Sequence, residues 1–296
     1  MSNRSSLIQR SVDILRSEGL RAFVARTNSY LKYQFPILES LEYFRVRARH
    51  YKHWFQYGSS APDPYELLRV DASDIEYWVD QTKRSEIDFY KSGTAVSTGE
   101  WDRDHLKKNR TRPRFQKLNQ SFDQHFIDGL PWEETAIYKY ATETPNPHPL
   151  YDPDNGLDKR LAQLNELYER LSEDGYRTQR ELQDAELLSH RMHDEIPAGH
   201  PPEVHEIGIA VTRSGDLAWF YGGNHRLHMA KVLDLDDIPV RVVVRHKLWQ
   251  DIRMEVANAN SVAELRGEVK RLLPHPDLEG LLPKPESKKS LGRRPN

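Results

Sequence analysis

Five consecutive residues, Gly222-Gly223-Asn224-His225-Arg226, combine types that suit anion chemistry. They lie within WFYGGNHRLHMAKVLDLDDIPVRVVV, Trp219 to Val244, where an aromatic run ends, a short amphipathic segment follows and a β-branched run closes the unit. The glycines permit positive φ or a close backbone approach. Asn224 is expected to cap the following helix by accepting from its first free N–H groups. Those N–H groups, the positive end of the helix dipole, His225 and Arg226 together suit a phosphate. Arg226 would add bidentate, charge-assisted bonds. The competing reading is plainer: the glycines only make a turn, and Arg226 forms a structural ion pair.

Other residues invite weaker readings. His193, His200, His205, His225 and His228 crowd 36 residues, but none are paired at the i,i+4 spacing of a zinc-hydrolase helix, and His225/His228 are i,i+3. No dedicated metal site is expected. Mg²⁺ accompanying a nucleotide would need only one or two carboxylates. Trp101-Asp102 and Trp132-Glu133-Glu134 place aromatics beside acids, as sugar-binding surfaces do, although tryptophans are more often core. No Gly-x-Ser-x-Gly elbow supports a nucleophilic serine.

The elements around these residues follow from periodicity and punctuation. VHEIGIAVTRSGDLAWFYGG reads as two strands around the turn 213–216, followed by a helix over 225–235 and a strand over 238–244. LDKRLAQLNELYERLSEDGY places Leu161, Leu164, Leu167, Tyr168 and Leu171 on one helical face, with Gly175 ending the helix. A strand is expected at Leu67–Val70 and a helix from Asp74. A helix, a break at 129–131 and a second short helix are expected over 110–143. The segment 144–156, with four prolines, is the best linker candidate, and one or two helices should follow Asp251. These signals divide the chain into 1–57, basic and helical; 58–150, an α+β accessory region; 157–273, an α/β domain; and a disordered tail over 274–296.

Net charge is −2 over 296 residues, so no global basic field marks a general nucleic-acid binder. Residues 1–57 carry ten Lys/Arg against four Asp/Glu. Ile8, Val12, Leu15, Leu20, Phe23 and Val24 fall near helical spacing there, so this segment reads as a docked helix with a solvated basic face. Peripheral contact with an anionic membrane is the sharper alternative. Cysteine is absent, which excludes disulfides, thiolate chemistry and Cys-ligated zinc. With no bilayer-length apolar run and no secretory signal pattern, the chain is expected to be soluble and cytoplasmic. Mean hydropathy is −0.80, yet six Trp and fourteen Tyr argue for packed structure.

FYGGNHRLHMAKVLDLDDIPVRVVV resembles the signature of the ParB/sulfiredoxin-like superfamily, in which a strand ends in a Gly-x-His-Arg or Gly-Glu-Arg-Arg box that caps a helix and an Ile-Pro-Val strand follows. DGYRTQREL, 174–182, resembles the family's first box. The resemblance spans about 157–250. The whole pattern is similar to uncharacterised prokaryotic proteins with ParB-like domains, some encoded among surface-polysaccharide genes. It implies an α/β domain with a small mixed sheet, preceded by a helix-rich region that covers the site or supplies a second substrate.

It also implies a nucleoside tri- or diphosphate with Mg²⁺, the phosphates on Gly222, Gly223, Asn224, His225 and Arg226, and Arg177, Thr178 and Gln179 as first-box positions. Asn224 stands where the sulfiredoxin box has its reactive cysteine, so sulfinic-acid reduction is ruled out. Only about fifty residues follow the unit, too few for the helix-turn-helix domain of partition proteins, so specific DNA binding is disfavoured. A kinase branch of the superfamily needs a carboxylate to act as base toward a hydroxyl. Glu203, Glu206 and Asp194-Glu195 qualify. Glu206, expected at the pocket rim, joins His225 as the catalytic pair. The preferred function is nucleotide binding, with phosphotransfer to a small hydroxyl acceptor or nucleotide hydrolysis and a link to glycan synthesis. The rival is a non-catalytic nucleotide-gated or DNA-associated adaptor.

Overall fold

The computed structural model describes residues 36–79, 87, 93–104, 106–107, 113–145, 151–187 and 201–281. The first element is helix α1, Pro36–Tyr57, followed by strand β1, Leu67–Val70. A helix was expected from Asp74, but the chain makes a single 3₁₀ turn, Ala72–Asp74, and enters strand β2, Tyr77–Val79. Locally, the Asp71 side chain accepts from the Ser73 N–H at 2.7 Å and closes a tight turn, while Tyr-Trp-Val prefers extended backbone. Strand β3, Ala95–Ser97, leads through a turn into the short helix α2, Trp101–Asp104, and β4 is Leu106–Lys107. Helix α3, Pro113–Phe122, runs into a π turn at Asp123–Ile127, breaks at Gly129 with φ +74°, and gives way to α4, Ala136–Glu143.

Helix α5, Leu157–Asp174, buries Leu157, Leu161, Leu164 and Leu171 and ends at Gly175, where φ is +69°. A six-residue helix, α6, covers Gln179–Asp184. The expected hairpin follows as β5, Ile207–Val211, and β6, Leu217–Tyr221. Helix α7 is Asn224–Val232, and β7 is Ile238–His246, two residues longer than its periodicity predicts. Helices α8, Lys247–Asn258, α9, Gly267–Leu272, and α10, Pro276–Glu279, complete the described chain. None of the helices among the described residues is long and apolar enough to cross a membrane.

The protein is mixed α/β, built on one mixed sheet in the order β1-β7-β5-β6-β2-β4, with β3 also on β7. β7 pairs parallel with β5 on one side; antiparallel β1 and parallel β3 share its other side in succession. Every residue of β5 and β7 is buried, as expected for strands covered on both faces. One face carries Ile207, Ile209, Leu217, Trp219, Val240 and Val242 in the larger core with the helices, and the other carries Ala210, Ala218, Phe220 and Val243.

The sheet does not respect a boundary near 150. β1, β2 and β4 precede it and β5–β7 follow it, yet their strands hydrogen-bond in one sheet and share one core. The linker reading is corrected at its end, where Tyr151 is buried; 146–150 lie outside the described residues. The tail reading is corrected over 274–281. Leu278 is fully buried, and Asp277 receives both Arg245, at 2.5 Å, and Arg253, at 2.8 Å. Two buried guanidiniums need that carboxylate, and this need fixes the segment to the body. Residues 282–296, like 1–35, lie outside the described residues.

Candidate functional site

The chain leaves β6 and turns through Gly222, φ +67°, and Gly223, φ +57°. Both dihedrals fall where side chains are strained. At Gly223 space is also exhausted: an added Cβ would lie 2.5 Å from Ile207 Cγ1 and 3.0 Å from its Cα. The turn therefore seats α7 directly on the first residue of β5.

Gly223 itself is the N-cap of α7 and, having no side chain, makes no cap hydrogen bond. Asn224 does not cap, contrary to expectation, because it is already inside the helix and cannot reach back. Both atoms of its amide are buried without a hydrogen-bond partner. The side chain lines a cleft of about 100 Å³ with Asn119, Trp78, Trp219, His228 and Lys231, among others. Asn119 Oδ1, in the same cleft, is likewise buried and unpaired. Among the described residues, Glu76 is the one carboxylate in the cleft wall.

His225 leaves the helix in a second direction. Arg160 Nη2 lies 3.0 Å from its Nδ1, and Tyr151 Oη 3.1 Å from its Nε2. A guanidinium can only donate, so Nδ1 accepts and the neutral ring carries its proton on Nε2, facing the tyrosine. Phe122 packs edge-on at 6.2 Å. With both nitrogens engaged, His225 is held as a positioned spacer between α5 and α7.

Arg226 takes a third direction, into a buried cluster. Its Nη1 donates to Glu206 Oε2 at 3.0 Å, its Nη2 to the His205 carbonyl, and its guanidinium carbon stands 5.7 Å from the Tyr176 ring centre. Glu206 is buried rather than at a rim. Its Oε1 accepts from the Gln179 N–H at 2.5 Å, and Tyr176 Oη approaches Oε2 at 3.4 Å. Burial lifts the Glu206 carboxyl above the usual glutamate range; Arg226, the Gln179 N–H and the Tyr176 hydroxyl pull it down without cancelling that effect. Burial pushes the Arg226 guanidinium down, and Tyr176 and Glu206 more than offset it.

Thr178 completes the same cluster through a capping box. Its hydroxyl accepts from the Glu181 N–H at 3.1 Å, and Glu181 Oε2 accepts from the Thr178 N–H at 2.6 Å. These Thr178 bonds hold the Glu181 carboxyl low, with the half-buried Arg177 adding to them. Glu203, read as a candidate base, instead forms a two-bond pair with Arg180 at 2.5 and 2.9 Å.

The site residues read from sequence therefore separate into two groups and an outlier. Glu206, Arg226, Arg177, Thr178 and Gln179 converge at the start of α6. Asn224 faces the cleft beside β2. His225 packs toward α5. Asp194, Glu195, His193 and His200 lie outside the described residues. Among those described, no three His, Asp or Glu side chains gather to hold a metal ion. Trp101 and Trp132 are buried in the core, and Asp102 clamps Arg213 at 2.6 Å.

Sequence reading missed Arg160, Tyr151, Tyr176 and Asn119. Arg160 looked like one polar residue on the outer face of an amphipathic helix, and Tyr151 sat in a proline-rich segment. Neither had a local signal, because each acquires its partner across more than sixty residues. Comparison of the chain with protein-family models, curated proteins and solved structures finds no match.

Proposed function

We propose that this chain is a binding module for a phosphorylated small molecule, a nucleotide foremost, seated at the start of α7. The observation that carries the reading is the α7 start: a glycine N-cap, which has no side chain to close the first turn, beside Asn224, whose buried amide has no partner. The N–H groups of a helix first turn and its positive end favour an anion. An unpaired buried amide costs free energy that a ligand's acceptor or donor would recover. Lys231 in the cleft wall supplies positive charge, and Glu76 could share a Mg²⁺ brought by the nucleotide. Assignment to the ParB/sulfiredoxin-like class rests on the Gly-Gly-Asn-His-Arg resemblance and on the strand, glycine turn, helix and strand that carry it.

Binding without chemistry is the form of this reading that the geometry favours. Phosphotransfer would ask Glu206 to act as base, but Glu206 and Arg226 neutralise one another beneath the turn. His225 would first have to give up Tyr151 or Arg160.

Thermal unfolding with ATP, ADP, CTP and GTP, each with Mg²⁺, tests the reading. A ligand at a hundred times its dissociation constant adds about 2.7 kcal/mol, a shift of a few degrees. The informative variant is Asn224→Ala. Arg226→Ala would unbalance the Glu206 cluster and confuse lost binding with lost stability. Stabilisation by one nucleotide that the alanine variant loses supports the site; no shift with any of the four, or an equal shift in the variant, sinks it.

A further inference from the structure

Among the described residues, helix α1 buries one side against the body, and Arg47 at the margin stacks over Tyr65 at 5.5 Å. Val46 and Tyr57 are buried, His50 Nδ1 bonds the Pro62 carbonyl at 3.1 Å, and Ser60 just beyond receives Gln250 Nε2 at 2.8 Å. The opposite side is apolar and aromatic. Phe44, Tyr51 and Phe55 are 66%, 61% and 82% exposed, and with the exposed Ala48 between them they follow the i, i+4, i+7, i+11 spacing of one helical stripe. Trp54, 54% exposed, borders the stripe with Arg47, while the exposed Arg45 and Lys52 border the other side.

Large aromatics singly exposed are ordinary; three on one stripe with a fourth at its border mark an interaction surface. Its charge identifies the occupant. Residues 44–57 contain Arg45, Arg47, Arg49 and Lys52 and no Asp or Glu. A helix with an aromatic stripe bordered by cations lies in the interface plane of an anionic bilayer, its rings at headgroup depth. A second copy fits poorly, because pairing two such faces would set cations against cations.

We propose that the outer face of α1, Phe44, Tyr51, Trp54 and Phe55 with their flanking cations, is a peripheral docking surface for anionic membrane lipid. The surface would hold the protein flat on a bilayer without spanning it.

Co-sedimentation of the full chain with phosphatidylcholine vesicles and with vesicles of phosphatidylcholine and phosphatidylserine at 3:1 tests this. The expected result is binding to the anionic vesicles alone, weakened by raised salt. Tyr51→Ser with Phe55→Ser should weaken partitioning by about tenfold or more while leaving thermal unfolding unchanged, since both rings are exposed. Arg45→Glu with Lys52→Glu should abolish it. No binding to anionic vesicles, or binding that both double variants retain, overturns the proposal. So would a vesicle-free dimer in sedimentation velocity that Tyr51→Ser with Phe55→Ser dissolves, which would assign the face to a second copy. None of these readouts depends on nucleotide binding at α7.

Discussion

Two helices begin against the first residues of β5, and they begin differently. At α6 every available device is used: Thr178 and Glu181 form a reciprocal capping box, and the Glu206 carboxylate takes the Gln179 N–H. At α7, three residues past the end of β6, the N-cap is Gly223, which has no side chain to cap with. A glycine N-cap costs only about a few tenths of a kcal/mol relative to a capping side chain, but it satisfies none of the first-turn donors itself. The chain that closes a six-residue helix so thoroughly leaves a nine-residue helix bare and spends two left-handed glycines to do so. In the proposed function that difference is the site: α6 is finished by the protein, and α7 is finished by a ligand. Glu206 and Arg226 belong to the closed start, although sequence order places Arg226 in the open one.

The largest test of this contrast removes its shared piece. Glu206→Leu would leave the Arg226 charge without a carboxylate and the Gln179 N–H without an acceptor, both in buried surroundings. The loss should be about 3–5 kcal/mol, read from urea unfolding. A loss below about 1 kcal/mol would mean that the pair is solvated in solution and Arg226 is available to a ligand after all. Next come the two glycines. Gly223→Ala combines a left-handed backbone with overlap against Ile207 and should cost about 2–4 kcal/mol. Gly222→Ala meets only the Glu206 carbonyl, at 3.3 Å, and should cost about 1–2 kcal/mol. Equal costs would show that strain alone, rather than contact with β5, fixes the turn.

The same contrast explains what the sequence could reveal. Strand β6, the glycine turn, α7 and β7 are all legible, because each rests on periodicity and on residues within a few positions. Which way each motif side chain points is not legible. Asn224, His225 and Arg226 are separated by about 100° each around a helix and must diverge, but what each one faces comes from distant segments: the cleft shared with α3, then α5, then the loop before β5. A run of five adjacent residues looks like one site on paper and becomes three environments in space. The missed β2 has a similar cause. Its three residues gain their ladder from β6, more than a hundred positions away, while the nearby Asp71-Ala-Ser imitates a helix start. Asp277 was hidden because its role is to answer Arg245 and Arg253, which are themselves visible only as polar residues among apolar ones.

A smaller pair of variants sharpens the helix-start comparison directly. Thr178→Ala removes a cap that is made and should cost about 1 kcal/mol. Asn224→Ala removes a side chain that caps nothing and whose amide is unpaired, so it should be neutral or slightly stabilising without ligand. If Asn224→Ala were as costly as Thr178→Ala, Asn224 would be serving the helix in solution and the cleft reading would lose its support.

The last effect is a change of slope with pH, and its sign differs between groups. His53 on α1 is pushed down to about 4, first by burial and then by Arg49 and the neighbouring cations. Its Nδ1 is buried without a partner. The unfolded chain takes a proton on this ring near its ordinary value of 6.5, while the folded chain resists until about 4, so stability is lost as pH falls across that window. Glu206 behaves oppositely. Its carboxyl is raised, so the folded chain takes the proton first, and the group contributes stability as pH falls toward the ordinary glutamate range. Urea midpoints measured from about pH 7 to about pH 4.5 should therefore fall less steeply in His53→Gln than in the wild type, and more steeply in Glu206→Gln. Slopes, not absolute stabilities, carry the comparison, because Glu206→Gln lowers the whole curve. Parallel slopes for Glu206→Gln and the wild type would show that Glu206 keeps an ordinary affinity for protons. The closed start of α6 would then be held by Thr178 and Glu181 alone, with the Glu206–Arg226 pair a surface contact rather than the floor of the turn.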